Sequence, residues 1–155
     1  TMIDPNIRAG FITDQTAYRA RIARMMGRAD IVKLSDEDLH WLTGEGDPVI
    51  LARKVIDTGP RVVFLTEGAH GARAVTRTQD RFVAATKVTV ADTVGAGDTF
   101  NAGALAALDQ AGVLNKSAVA ALDDDVLDAA LSLGTRAAAI TVSRPGANPP
   151  WAHEL

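Results

Sequence analysis

The sequence contains no cysteine, which excludes disulfides, thiolate nucleophiles and Cys-ligated zinc. Histidine is scarce as well. His40, His70 and His153 lie far apart without metal-ligand spacing, so no transition-metal site is expected. Long apolar runs are missing: charge or glycine interrupts each stretch well short of the roughly 20 residues that cross a bilayer. No basic segment leading into an apolar one opens the chain, and the expectation is a soluble, cytoplasmic protein with no membrane partner. Positive charge is also in short supply. The net charge is −3 and the arginines share their segments with carboxylates, so no basic stripe offers the counterion-release affinity that nucleic acid requires. What the chain does have is 155 residues at 47% hydrophobic content, enough for one substantial core and one domain over residues 1–155.

Strand and helix signals alternate along it. Residues 1–6 read as the end of a short strand entering an Asp-Pro-Asn turn. A helix capped by Thr13 or Asp14 follows, reaching Ala29, and then a short buried strand, Ile31 to Leu34. Ser35 with Asp38 comes close to a capping box for a helix that ends at Gly44. A further helix over 49–57 leads to a central strand over 61–66, where Val62-Val63-Phe64-Leu65 is too short for a helix. Segments 72–76 and 81–85 suit an edge hairpin around Thr78-Gln79-Asp80. Alternating Val88 and Val90 predict a last strand entering a glycine loop. Helices are expected from Asp98 to near Gly112 and over 125–139. Trp41 and Trp151 are read as covers for the core, and Asp123-Asp124-Asp125 as a solvated helix start. The order of elements predicts a layered α/β fold with a largely parallel sheet.

The chemistry concentrates in Asp92-Thr93-Val94-Gly95-Ala96-Gly97-Asp98-Thr99-Phe100. Gly95-Ala96-Gly97 falls between a predicted strand and a helix, where unpaired backbone N–H groups can face an anion. Glycine permits the tight turn and close approach. Asp98, in the first helical turn, would repel a statically bound pyrophosphate. It suits instead a hydroxyl nucleophile that loses its proton while attacking a phosphoryl group. A dinucleotide-binding loop fits less well, because Phe100 stands where a third small residue should allow close packing. No Gly-Lys-Ser/Thr follows, so a P-loop fails too. The bland alternative is an ordinary helix cap preceded by a turn.

Asp92 to Asn101 resembles the C-terminal signature of the ribokinase-like, or PfkB, carbohydrate kinases. Asp4-Pro5-Asn6-Ile7-Arg8, Ala29 to Asp38, Thr66-Glu67-Gly68-Ala69-His70-Gly71 and Arg144-Pro145-Gly146-Ala147 are similar to further family segments in the same order. The resemblance implies a ribokinase-like αβα fold and transfer of the γ-phosphoryl of MgATP to a sugar hydroxyl. Asp98 would be the base, with the N–H groups of Gly95, Ala96 and Gly97 stabilising the transferred group. Thr66, Gly68 and Gly71 would lie along the nucleotide. Asn6 and Arg8 resemble a segment of the fructokinase and 2-keto-3-deoxygluconate kinase branch, whose guanidinium can meet phosphate or an acidic sugar. Asp38 stands where the family carries the Glu of Asn-x-x-Glu, linked through water to Mg²⁺, and is equally a helix cap. Asp92, with Val94 and the 141–146 loop, matches the positions that bind K⁺ in some members.

The resemblance also implies that the upstream strands and β-lid of the family are absent from these residues, so that the piece alone is inactive towards sugar. The alternative is a non-catalytic nucleotide-binding or structural remnant, as a homo-oligomer that covers an open sheet edge.

Overall fold

A computed structural model describes all 155 residues, Thr1–Leu155. Five strands, β1 (Met2–Ile3), β2 (Ile31–Ser35), β3 (Val62–Thr66), β4 (Gly71–Val75) and β5 (Asp80–Ala84), form one sheet in the order β1-β2-β3-β4-β5. β1, β2 and β3 are parallel, with Ser35 opposite Thr66 at their carboxyl ends, while β4 and β5 run antiparallel as the expected edge hairpin. The helices are α1 (Gln15–Met26), α2 (Asp36–Thr43), α3 (Pro48–Ile56), α4 (Ala96–Gln110) and α5 (Asp124–Val142). None is long and apolar enough to cross a membrane.

Side chains alternate across each strand, and the sheet sorts them into two cores. Val32, Leu34, Val63 and Leu65 pack with Leu39, Leu51 and Ile56 under α1, α2 and α3. Ile31, Val62 and Phe64 pack with Phe100, Leu108, Leu127 and Leu131 of α4 and α5. Phe64 and Phe100 meet edge to face with centroids 6.1 Å apart, which ties α4 to the central strand. Arg81 of β5 pairs with Asp124 and Asp128, tying α5 to the hairpin.

Helix starts follow local chemistry. Asp14, Asp47 and Asp123 accept hydrogen bonds from the N–H groups of Ala17, Ile50 and Val126, each at 2.9 Å. Ser35 and Asp38 close a reciprocal capping box on α2. Only α4, of these five helices, starts without a side-chain cap: Gly95 takes the capping position in the left-handed region, φ 81°.

Two expectations fail. The expected strand at Val88 and Val90 does not form, because no strand lies alongside these residues; both valines are exposed rather than half-buried on a sheet face. Trp151 is 73% exposed and covers no core. Trp41 is half-buried, edge-on to Tyr18 and beneath the Arg19 guanidinium.

Candidate functional site: a glycine loop over a buried lysine

The loop before α4 is latched at its base. The N–H groups of Ala91 and Asp92 donate to the Val142 carbonyl at the end of α5, at 2.7 and 3.2 Å. Asp92 then accepts from Val94 N–H through Oδ1 and from Gly146 N–H through Oδ2, both at 3.0 Å. These backbone N–H bonds, Val94 first and Gly146 second, hold the Asp92 carboxyl below the usual carboxylate range. The loop and the 141–146 segment are thereby one unit. A Cβ on Gly95 would lie 3.1 Å from Ala147 Cβ, so both the positive φ and the packing favour glycine there.

Above this base the helix start is open. Ala96 N–H bonds the Thr93 carbonyl at 3.3 Å, whereas the N–H groups of Gly95, Gly97 and Asp98 have no partner in the chain. Two of the three amides expected to face an anion, those of Gly95 and Gly97, are thus left without a partner, and the Asp98 amide joins them. Asp98 itself is exposed, and its carboxylate makes no hydrogen bond or ion pair.

Beneath the loop lies a charged cluster that sequence reasoning overlooked. Lys33 of β2 is 5% exposed, and its Nζ is 3.2 Å from Asp4 Oδ2. The same Asp4 oxygen accepts from Asn101 Nδ2 of α4 at 3.0 Å, while Asp4 Oδ1 accepts from Asn6 N–H at 3.0 Å and shapes the turn after β1. A Cβ on Gly97 would lie 2.9 Å from Lys33 Nζ. The signal was a lysine inside the otherwise apolar run Ile31-Val32-Lys33-Leu34, which strand alternation turns toward α4.

The other expected site residues gather in two further places. Thr66 ends β3, and its hydroxyl donates to the Leu34 carbonyl at 3.4 Å. Gly68 (φ 53°) and Gly71 (φ 141°) turn the chain into β4, where a Cβ on Gly71 would fall 2.2 Å from the Val83 carbonyl oxygen. This turn makes no hydrogen bond to the glycine loop. Asp38 is buried, and its Oδ1 accepts from Ile7 N–H at 2.9 Å while Oδ2 accepts from Ser35 N–H at 3.2 Å. Asn6 is held at φ 44°. Asn6 and the exposed Arg8 line a cleft of about 290 Å³ with Phe11, Thr13, Tyr18 and Arg21. Arg8 and Asp38 also border a second cleft of about 440 Å³. No three acidic or histidine side chains converge as a metal cage. That still fits Mg²⁺ carried on nucleotide phosphates, which needs only one or two carboxylates from the protein.

The pfkB family carbohydrate kinase model matches residues 1–154. The chain belongs to the pfkB family of carbohydrate kinases. Among curated members, a fructokinase of Rhizobium leguminosarum bv. trifolii is 49% identical over 125 residues, covering 81% of this chain and 38% of that protein. Two solved members share the fold. Aminoimidazole riboside kinase of Salmonella enterica, complexed with aminoimidazole riboside and an ATP analogue, aligns with TM-score 0.80 at 29% identity, over 94% of this chain and 46% of that one. A fructokinase double mutant of Vibrio cholerae O395, bound to fructose, ADP and potassium ion, gives 0.78 at 28% identity, over 94% of this chain and 45% of that one. The chain thus spans less than half the length of each of these three proteins.

Proposed function

We propose that this chain supplies the phosphate-binding loop and the catalytic base of an ATP-dependent sugar kinase. One observation carries the reading: the exposed, unpartnered Asp98 carboxylate stands in the first turn of α4, beside the free N–H groups of Gly95 and Gly97. A partnerless carboxylate is free to accept a proton from an approaching hydroxyl. The N–H groups are rigidly oriented by the Asp92 latch, so they stabilise charge on a transferring phosphoryl without reorganising. Backbone donors bind the phosphate, the aspartate moves the proton, and in-line placement of the acceptor supplies most of the remaining catalysis.

The nucleotide would run from the turn at Thr66, Gly68 and Gly71 toward the loop, with Asn6 and Arg8 on the acceptor side. Mg²⁺ would enter on the phosphates and neutralise their charge, with Asp38, buried in its cap, reaching it through water. K⁺ would lie by the Asp92 carboxylate. A ketose acceptor is supported by the fructokinases among the relatives and by the fructose in the Vibrio cholerae structure. Base and anion hole are this chain's share, and the acceptor needs further surfaces to hold it in line.

Calorimetric titration of the chain with ATP and with NAD tests the nucleotide assignment. ATP binding that is lost on Gly97→Val is the expected result. NAD binding with no response to ATP would return the loop to the dinucleotide class.

A further inference from the structure

A buried ammonium is costly to desolvate, and an ion pair with one carboxylate seldom repays that cost in stability. Lys33 is such a group, and it lies on the sheet face that otherwise holds Ile31, Val62 and Phe64. A leucine or methionine there would extend the apolar core, so its presence asks for another explanation. Position supplies one. Nζ lies 2.9 Å from where a Cβ on Gly97 would stand, against the first turn of α4. Of its three donors, the chain engages one side only, through Asp4 Oδ2 at 3.2 Å.

Asp4 does not simply neutralise it. Its Oδ2 is shared with Asn101 Nδ2, and Asn101 follows Asp98 by one helical turn on α4. The Asn101 Oδ1 atom is buried with no hydrogen-bond partner. The end of β1, the middle of β2 and the first two turns of α4 are therefore joined at a single carboxylate oxygen.

Resting on the kinase reading above, we propose that Lys33 is a positioning residue for phosphoryl transfer. Its ammonium supports Gly97 from beneath and places fixed positive charge behind the anion hole, while Asp4 and Asn101 hold the turn that carries Asp98 at that height. The role goes through the loop. It also accounts for the glycine at 97, whose φ does not lie in the left-handed region and which a helix start would otherwise not require.

The position of the charge makes the test selective for the terminal phosphate. Titrating the 155-residue chain with a non-hydrolysable ATP analogue and with ADP, both with Mg²⁺, compares ligands that differ at the group held by the loop. Lys33→Met should weaken the ATP analogue on the order of tenfold, the scale of one charge-assisted contact, and leave ADP within about twofold. Should the unpaired Asp4 unfold that variant, the double variant Asp4→Asn/Lys33→Met removes both charges and should show the same selective loss, with folding checked by thermal melting. Folded variants that keep the wild-type ratio of the two affinities, or lose both ligands equally, would overturn the role of Lys33 alone. A wild-type chain that binds neither nucleotide would overturn the kinase reading and this inference with it.

Discussion

Gly103 of α4 and Gly134 of α5 meet backbone to backbone: a Cβ on Gly103 would lie 2.8 Å from Gly134 Cα and 2.9 Å from the Leu133 carbonyl oxygen. This contact sets how closely α4 lies against α5, and through α4 it sets where the glycine loop stands. Gly103→Ala has no flexible side chain to push aside, so it should destabilise the chain by about 1–3 kcal/mol, the usual cost of overpacking. Gly10→Ala, with open space around it, should stay within about 0.5 kcal/mol of wild type. Denaturant unfolding of both variants gives the comparison.

The Asp92 latch should be sensitive to acid. Its folded pKa is depressed, so the stabilisation is fully present above the ordinary aspartate value of about 3.9 and is lost as pH falls through the lower folded value. The Val94 and Gly146 amide resonances, followed by NMR, should titrate together with a midpoint below about 3.9. Asp92→Asn should abolish that titration. A midpoint at or above the ordinary value would contradict the geometry.

Asp38 should matter for folding before it matters for metal. Asp38→Ala strands the buried N–H of Ile7, at about 1–3 kcal/mol for an unsatisfied buried donor, and also removes the acceptor of the half-buried Ser35 N–H. Calorimetry should also show MgATP weakened more than metal-free ATP if the water-mediated contact to Mg²⁺ exists; equal losses would confine Asp38 to its cap.

Much of the fold was legible because the caps are local. Asp14, Asp123 and the Ser35–Asp38 box each meet N–H groups three residues away, so their spacing alone marks a helix start. The parallel core could be read because Val62 to Leu65 is buried on both faces. The Val88–Val90 strand misled because alternation says nothing about whether a partner strand lies alongside. The glycine turn ahead of α4 could be read from local order, but the bond from the Ala96 amide to the Thr93 carbonyl could not, since it is a detail of turn geometry. Lys33, Asp4 and Asn101 were harder still. They are separated by up to 97 positions, and only the packing of α4 on the sheet brings them to one oxygen.

The assignment of Asp98 as base is tested most directly by turnover in a protein that supplies the acceptor surfaces. The upstream portion of the Rhizobium leguminosarum fructokinase, fused to this chain, offers such a protein, given the 49% identity of the matching region. Sugar-dependent ADP release from this chimera should fall by about two to four powers of ten on Asp98→Asn, the range of a positioned base, while ATP affinity stays unchanged or tightens as a negative charge leaves the phosphate site. A folded Asp98→Asn chimera with full turnover would contradict the account.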